Sequence, residues 1–345
     1  MKLLIITQKV NENDQLLGFF VEWLKRFAGK FDKLTVLCLE KGDYVLPPNV
    51  EIISLGKERG AGKFKQLFTF FILLFLLQKR YNAVFVHMNP IWVVLGGLFW
   101  RIMGKRIFFW YTSGGVTLKL KLAEKFANII FTASKESFRL PSKKLIVTGH
   151  GIDTGVFKPD TNPNFPISNS KLKILSVGRI SPVKNYGMLI DAAKRLKDRG
   201  IDFTVTMIGE AALNSDISYL TSLRFKVKSL NLEENFNFIG KVNHKDLPRY
   251  YQMHDIFVHL SKTGSLDKTL LEAMACGMII LSSNDSARAF LSDDFLFNED
   301  NSNELADKIR TVVKKTPVLA LREYIVKNHN LDNLINKIST IINGA

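Results

Sequence analysis

The segment LKILSVGRISPVKN, residues 172–185, carries the clearest indication of the fold. Its first six residues are mostly apolar and predict a buried strand, which Gly178 ends. Arg179 and Lys184 follow, just before a segment that begins at Asn185 and carries a one-sided apolar stripe typical of a helix. A strand, a glycine turn and a helix in this order indicate one unit of a parallel α/β sheet.

The same alternation of short apolar strands and helical segments runs along the whole chain. Continuous apolar strands with helices between them indicate parallel sheets that are covered on both faces. The predicted strands lie at 2–7, 34–40, 50–56, 83–89, 106–112, 128–134 and 144–151 in the first half, and at 172–178, 203–209, 235–240, 256–261 and 278–284 in the second.

The alternation is interrupted once, by KPDTNPNFPISNSK at 158–171, which is rich in Pro, Asn and Ser and predicts a linker. We therefore expect two Rossmann-like α/β domains with doubly wound parallel sheets, at 1–160 and 168–327. The last helical segment, about 328–345, could pack on either domain. Ligands of such folds bind at the carboxyl ends of the strands, so functional residues are expected just after them.

Charge is unevenly distributed along the chain. Residues 1–160 contain 24 Lys/Arg and 12 Asp/Glu, whereas the remainder contains 24 and 20. This asymmetry favours a polyanionic partner, either anionic lipid headgroups or nucleic acid, with an ordinary basic surface as the alternative. No nucleic-acid-binding module is recognisable, so no nucleic-acid partner is expected.

Cysteine usage and the amino terminus indicate a cytoplasmic protein. Cys38 and Cys276 are far apart in apolar sequence, which gives no disulfide framework and fits a reducing compartment. The apolar start at residues 3–7 is too short for a secretory signal.

One apolar segment suggests contact with a membrane. In KFKQLFTFFILLFLLQKR, residues 63–80, the apolar core at 67–77 is eleven residues long, which is too short to span a bilayer. A helix that is apolar on every side is either buried in protein or dipped into lipid. The basic ends and the phenylalanines suit insertion at the membrane interface, and the basic-aromatic stretch 100–110 adds to that signal. Both interpretations, core helix and membrane-docking helix, stay open.

Two post-strand segments carry candidate binding residues. Gly178, Arg179 and Lys184 combine a glycine for close approach, two cations and a helix N-terminus, which together suit phosphate binding. The second segment is TGSLDKTLLEAMACG at 263–277, where a loop of small residues precedes a helix predicted from Lys268 to Cys276.

In this second segment, Asp267 is the expected N-cap and Gly277 the expected helix stop. Glu272 is the only charged residue between Thr269 and Gly277. Its carboxylate could accept two hydrogen bonds from a vicinal diol such as a nucleotide ribose. The alternative is a structural salt bridge to Arg179 or Lys184.

Several common motifs are missing. No G-x-G-x-x-G follows the first strand, so a dinucleotide-dependent dehydrogenase is not expected. GAGKFK at 60–65 lacks the spacing of a phosphate-binding P-loop. No cluster of His, Asp and Glu indicates a catalytic metal. His87 could face a ligand, although a single histidine at a strand end is more often structural.

The motifs VGRISPVKN, MIGE, NFIGKV followed by DLPRYYQMHDIFVHLS, and TLLEAMACG occur in this order along the chain. Together they resemble the retaining, nucleotide-sugar-dependent glycosyltransferases of family 4. VTGHGID at 147–153 resembles the segment that joins the two domains in that family. The resemblance implies a GT-B fold, in which two Rossmann-like domains face a central cleft. It also implies that a UDP- or GDP-sugar binds the second domain and the acceptor the first, without a catalytic metal or other cofactor.

The resemblance assigns roles to individual residues. Arg179 and Lys184 match the cations that hold the donor pyrophosphate, and Glu272 matches the second glutamate of the E-x7-E motif, which binds the ribose. Implied base-side contacts come from backbone groups near Gly209, Glu210, Lys241 and Val242. Implied phosphate and sugar contacts come from those of Ser265, Leu266 and Thr269. Gly178, Gly264 and Leu271 are further implied binding positions.

The chain departs from the family pattern at two places. Gly264 stands where the first glutamate of E-x7-E would be, which leaves open which sugar hydroxyls are recognised; Asp267 and Lys268 are candidate partial substitutes. Thr112, Ser113, Gly114 and Gly115 stand where many members have a histidine near the reacting sugar. In this loop Ser113 is the candidate catalytic group.

The sequence thus predicts a retaining glycosyltransferase that moves a hexose or related sugar to a hydroxyl group. The basic first half favours a lipid-linked or polysaccharide acceptor, with the enzyme peripheral at the cytoplasmic face of the membrane. A soluble sugar acceptor is the alternative. Competing hypotheses are a nucleotide-sugar-binding pseudoenzyme with a degenerate catalytic loop and an epimerase of the same fold.

Overall fold

The computed structural model describes residues 1–160, 171–211, 213–262, 264–312 and 319–344. The chain forms two compact units. The first comprises residues 1–151, 243–245 and 328–345, and the second 152–242 and 246–327. The boundary lies nine residues earlier than the expected one at 160, because Ile152 and Phe157 are buried in the core of the second unit. Most of the predicted linker, residues 161–170, lies outside the described residues.

The described part of the first unit contains a seven-stranded parallel sheet in the order β3-β2-β1-β4-β5-β6-β7. Its strands are β1 (Lys2–Val10), β2 (Lys33–Lys41), β3 (Val50–Ser54), β4 (Ala83–His87), β5 (Arg106–Trp110), β6 (Ile129–Thr132) and β7 (Leu145–Val147). All five residues of β4 are buried, as expected for a central strand with both faces covered.

Helices cover both faces of this sheet. One face packs against α1 and α11, and the other against α2, α3 and α4. The helices are α1 (Phe19–Ala28), α2 (Lys63–Leu77), α3 (Pro90–Ile102), α4 (Leu118–Phe126) and α11 (Leu331–Asn343). The C-terminal helix α11 therefore packs on the first unit, where Leu334 and Ile338 are buried.

The described part of the second unit contains a five-stranded parallel sheet in the order β10-β9-β8-β11-β12. Its strands are β8 (Leu172–Val177), β9 (Phe203–Ile208), β10 (Phe236–Gly240), β11 (Ile256–His259) and β12 (Ile279–Ser282). Its helices are α5 (Tyr186–Asp198), α6 (Asn214–Ser229), α7 (Leu247–Gln252), α8 (Lys268–Ala275), α9 (Ser302–Val312) and α10 (Leu319–Asn328).

The strand order of the second unit reverses between β8 and β11. The chain runs outward from β8 to β10 and then returns to the other side of β8. The loops that follow β8 and β11 are therefore neighbours, at the switch point where open α/β sheets bind ligands. The prediction of two doubly wound parallel-sheet domains is confirmed.

The two segments considered for membrane contact differ from expectation. In α2 only Phe70, Leu74 and Leu77 are buried, so this helix is part core and part surface. In the stretch 100–110, both Trp100 and Trp110 are buried, the latter at the end of strand β5. The prediction of lipid contact is therefore wrong for residues 107–110, whose side chains lie in the core.

Candidate functional site

Glycines end the first three strands of the second unit. The Gly209 N–H donates to the Gly240 carbonyl at 2.9 Å, and the Gly178 N–H donates to the carbonyl of Ile208 at 2.9 Å. A Cβ on Gly209, whose φ is +144°, would lie 1.9 Å from the Gly178 carbonyl oxygen. Any side chain there would force the two loops apart, so glycine keeps the strand ends in close contact.

Lys184 lies at the switch point between β8 and β11. The two loops are joined there by a backbone hydrogen bond of 3.0 Å from the Lys262 N–H to the Val183 carbonyl. The Lys184 ammonium forms an ion pair with Asp267 and donates to the Ser261 hydroxyl at 3.4 Å. An ammonium has three N–H donors, so one stays available for a ligand.

Asp267 also contacts His259, the last residue of β11. His259 Nε2 lies 2.8 Å from Asp267 Oδ2, and Nδ1 lies 3.1 Å from the Ser282 hydroxyl at the end of β12. Because a carboxylate only accepts hydrogen bonds, Nε2 carries the proton and donates to it. In the neutral ring Nδ1 then accepts from Ser282. A continuous chain of contacts thus links Lys184, Asp267, His259 and Ser282.

The charges along this chain follow from burial and pairing. Burial lowers the pKa of His259, although the Asp267 carboxylate opposes the shift. Burial alone would raise the pKa of Asp267, but Lys184 and the hydrogen bond from His259 outweigh it and hold that pKa far below its usual value. At neutral pH, Lys184 and Asp267 are therefore an ion pair oriented by a neutral histidine.

Asp267 stands at the N-cap position of α8 but does not cap it. Its side chain accepts no hydrogen bond from the first turn of the helix, since the carboxylate is engaged with Lys184 and His259. The capping role that we expected for Asp267 is therefore wrong. The predicted bounds of α8 agree with the structure to within one residue, and Gly277 follows with φ +76°.

The loop before α8 is held by a side-chain amide from the end of β12. Asn284 Nδ2 donates to the carbonyls of Ser261 at 3.1 Å and Ser265 at 3.2 Å. Gly264 has φ +64°, in the left-handed region that favours glycine. Thr263 lies outside the described residues.

Glu272 is buried in α8 with protein partners of its own. The Tyr251 hydroxyl donates to Glu272 Oε2 at 3.1 Å, and Lys268 Nζ lies 3.8 Å from Oε1 on the same helix. The alternative expectation of a salt bridge to Arg179 or Lys184 is therefore wrong: Lys184 pairs with Asp267 instead. Burial lowers the pKa of Lys268 to about 8, against the opposing charges of Glu272 and Asp153. The ribose contact predicted for Glu272 stays a prediction.

The other predicted donor residues differ in accessibility. Arg179 is about half exposed, and its Nε lies 4.0 Å from Asp216 Oδ2. Lys241 and Glu210 are exposed, and the Glu210 carbonyl accepts from the Ile180 N–H at 3.0 Å. The side chains of Val242, Leu266 and Leu271 are buried in the core. The Leu271 side chain is fully enclosed, so the donor contact predicted at this position stays a prediction for its backbone groups alone.

Three hydroxyls near these strand ends are buried without a hydrogen-bond partner among the described residues: Ser181, Thr269 and Ser283. Buried hydroxyls are normally paired in folded proteins. Thr269 lies in the first turn of α8 and Ser181 in the loop after β8, so both belong to the segments that we expect to bind phosphate. Their unused donors fit a site that is completed by a polar ligand.

The candidates in the first unit lie in different surroundings. Ser113 lies in the loop after β5, where the neighbouring Thr112 hydroxyl contacts Met88 Sδ at 3.4 Å. His87 is buried, stacks on Phe20 at 4.1 Å and contacts the Thr7 hydroxyl at 3.2 Å. These contacts fit the structural interpretation of His87. Within the described ranges, no group of three or more His, Cys, Asp and Glu side chains could hold a metal ion.

A sequence model of the family described as Glycosyl transferases group 1 matches residues 158–332, which are 175 of the 345 residues. The match includes every strand of the second unit and the Lys184, Asp267 and Glu272 positions. The chain belongs to the glycosyl transferases group 1 family.

Curated relatives match parts of this chain. Mannosylfructose-phosphate synthase of Agrobacterium fabrum is 32% identical over 132 residues, which are 34% of this chain and 29% of the relative. A Campylobacter jejuni relative is 30% identical over 146 residues, 41% of this chain and 37% of its own. It is N-acetylgalactosamine-N,N'-diacetylbacillosaminyl-diphospho-undecaprenol 4-alpha-N-acetylgalactosaminyltransferase. The matches thus span about a third of these relatives.

Solved structures with similar folds cover the chain from end to end. HepE of Anabaena, in complex with UDP and glucose, has a TM-score of 0.78 at 18% identity, with all of both chains covered. Sucrose-phosphate synthase of Thermosynechococcus elongatus has a TM-score of 0.79 at 15% identity and covers all of this chain and 98% of its own. These similarities establish the GT-B fold.

Proposed function

We propose that this protein transfers a sugar from a UDP- or GDP-sugar to a hydroxyl acceptor with retention of the anomeric configuration. The observation that carries the proposal is the position of Lys184, which is fixed by Asp267 and Ser261 at the switch point of a sheet in the family-matched unit. A fixed cation beside unpaired hydroxyls suits a diphosphate. The complex of HepE with UDP and glucose supports the choice of donor class.

In the proposed reaction, the bond between the anomeric carbon and the phosphate oxygen breaks and a bond to the acceptor oxygen forms. The acceptor hydroxyl loses its proton to the departing phosphate oxygen, which leaves on the face where the acceptor enters. Lys184 and Arg179 stabilise the negative charge that grows on the leaving diphosphate. The reaction written this way needs neither a metal nor a further cofactor, and Ser113 is the candidate group near the reacting sugar.

A lipid-linked or polysaccharide acceptor is the second part of the proposal. It is supported by the excess of basic residues in 1–160 and by the Campylobacter jejuni relative, whose name includes a diphospho-undecaprenol. An acceptor with a diphosphate and a long hydrocarbon chain would lie at a membrane. We place the enzyme at the cytoplasmic face, where nucleotide sugars are made and where the buried thiols Cys38 and Cys276 stay reduced.

The donor site is tested by thermal-shift measurements with UDP, GDP and their common sugar conjugates. We expect one nucleotide to stabilise the protein, and Lys184→Ala and Glu272→Gln to abolish the shift. Lys194→Ala is the matched control, because Lys194 pairs with Asp198 on the surface of the same unit. If no nucleotide shifts the unfolding temperature, the donor assignment is wrong.

Gly264 favours one alternative, a protein that binds nucleotide sugars without turning them over. The position has no side chain to contact the transferred sugar. This alternative predicts a thermal shift with no release of nucleoside diphosphate, whereas the proposed enzyme releases it from at least one donor. The anomeric configuration of the product, read by NMR, tests the retaining mechanism separately.

A further inference from the structure

Helix α2 buries one side and exposes the other. Phe70, Leu74 and Leu77 are buried and pack with strands and helices of the first unit. On a helix with about 3.6 residues per turn these three positions lie on one side. Their burial accounts for the attachment of α2 to the sheet and leaves the opposite side without a role in the core.

The opposite side is an unbroken apolar surface. Six large side chains with exposures of 41 to 91% project from it: Phe64, Phe68, Phe71, Ile72, Phe75 and Leu76. We call this set the apolar face of α2. Exposed single apolar residues are common in folded proteins, but six on one helix, including four phenylalanines, form a continuous patch that indicates a binding surface.

The neighbouring helix α3 also exposes apolar side chains. Phe70 packs against Trp92 and Trp100 of α3 with ring centroids 4.7 and 6.4 Å apart, so α2 and α3 lie together on one side of the sheet. The outer side of α3 and the turn after it expose Leu98, Ile102 and Met103.

Basic residues are concentrated in the same part of the chain. Residues 61–127, which contain α2, α3 and α4, include ten Lys/Arg and one Asp/Glu. Lys63 and Lys65 are exposed at the start of α2, and Lys79 and Arg80 follow its end. Within the described residues, Lys63, Lys65 and Lys79 form no ion pair. An apolar stripe between basic ends is complementary to an anionic bilayer, with hydrocarbon below and phosphate at the edge.

A second copy of this chain fits the surface less well than lipid does. Two copies that met through the apolar face would bring the same basic residues together, and like charges at an interface oppose association. A bilayer with anionic headgroups supplies the missing negative charge. Among the described residues no helix is long and apolar enough to cross a bilayer, so the contact is interfacial.

We propose that the apolar face of α2, with the exposed end of α3, docks this protein onto an anionic membrane surface. The phenylalanines enter the boundary between headgroups and acyl chains, and the basic residues at both ends of α2 contact lipid phosphates. The inference deepens the proposed function and rests on it for the acceptor, because a lipid-linked acceptor would lie in the membrane to which α2 docks. The residues that would contact the membrane all belong to the first unit.

The test is co-sedimentation of the purified full chain with vesicles of phosphatidylcholine, with and without one third phosphatidylglycerol. We expect binding to the anionic vesicles that weakens at high salt. Phe68→Glu with Phe75→Glu should reduce the bound fraction roughly tenfold or more. Phe70 is unsuitable for substitution because it is fully buried. Phe225→Glu is the matched control, since Phe225 is 73% exposed on α6 of the second unit and Phe68 is 68% exposed.

Circular dichroism and the nucleotide thermal shift show whether each variant is folded with an intact donor site. The proposal is overturned if the wild-type protein ignores anionic vesicles, or if the double variant binds them as well as the Phe225→Glu control does. A concentration-dependent dimer that the double variant loses, without vesicle binding by wild type, would assign the surface to a second copy instead. Vesicle binding without any nucleotide shift would support docking and reject the proposed donor.

Discussion

The two units place a histidine at the same point of similar sheets. His87 ends β4, which pairs with the first strand of the first unit, and His259 ends β11, which pairs with the first strand of the second. Both strands end in Phe-Val-His. His87 stacks on Phe20 and contacts a threonine hydroxyl, whereas His259 donates to Asp267 within a chain of charged and polar groups.

The difference shows that the roles of His87 and His259 depend on their neighbouring side chains and not on their position in the fold. An aromatic neighbour makes His87 part of the core, where its ring adds packing. A carboxylate neighbour that also contacts Lys184 makes His259 a positioning residue for a candidate catalytic cation. Four measurements on these residues and their neighbours test this contrast.

The largest effect is expected from Lys184→Ala. Loss of the cation that stabilises the leaving diphosphate should lower the transfer rate by about a hundredfold or more. Initial rates with the donor identified by thermal shift measure it, with Lys194→Ala as the matched lysine control. A change of less than about threefold would remove Lys184 from the mechanism.

Asp267→Asn should lower kcat less than Lys184→Ala lowers the transfer rate, and it should not weaken nucleotide binding. Without the carboxylate, Lys184 is no longer fixed, and kcat should fall by about tenfold. The nucleoside diphosphate should bind at least as tightly as before, because a negative charge near it has gone. Titration of the nucleotide, together with steady-state kinetics, separates the two effects. Parallel losses of binding and thermal stability would mean that Asp267 is only structural.

The pair His87→Phe and His259→Phe tests the comparison directly. His87→Phe keeps a ring against Phe20 but loses the contact with Thr7, so the unfolding free energy should fall by about 1 kcal/mol with kcat unchanged. His259→Phe should lower kcat through Asp267. Denaturant unfolding and kinetics on both variants provide the readouts. Equal kinetic losses in the two would contradict the contrast.

The smallest expected effect is on how the stability of the folded protein depends on pH. Lys268 has a pKa of about 8 in the folded protein, below its ordinary 10.5, because its charge is buried. The unfolded chain then binds more protons than the folded one above pH 8, so stability rises with pH there. The gain attributable to Lys268 between pH 7 and 9 should be about 1 kcal/mol. Lys268→Met should remove this part of the pH dependence; an unchanged slope would contradict the assignment.

The fold and the position of the site could be predicted because both depend on local patterns. Every predicted strand overlaps a strand of the structure, since continuous apolar runs between helices have few other solutions. The glycines and cations after β8 also point to ligand binding without any knowledge of the contacts. The partners of Lys184 could not be predicted in this way, because Asp267 is 83 residues away in the sequence. The position of Asp267 just before α8 also favoured a capping role, which gave no reason to expect contacts with Lys184 and His259.

The surface role of α2 could not be resolved from sequence either. Nearly every position from 67 to 77 is apolar, so the segment has no polar side to show which face is exposed. Packing of Phe70 between Trp92 and Trp100 selects the buried side. Similarly, the sequence shows that Glu272 is a charge in an apolar helix, but not its partner, because the Tyr251 hydroxyl that contacts it comes from a different helix.

The left-handed backbone at Gly264 has a consequence for how this loop could change. A glutamate installed there to restore the E-x7-E pattern would have to adopt φ +64°, a conformation that side chains other than asparagine and aspartate rarely tolerate. The substitution Gly264→Glu alone would therefore strain the loop, whether or not the new carboxylate reached a sugar. Directed evolution toward a different donor should yield loop insertions or paired substitutions sooner than a lone Gly264→Glu.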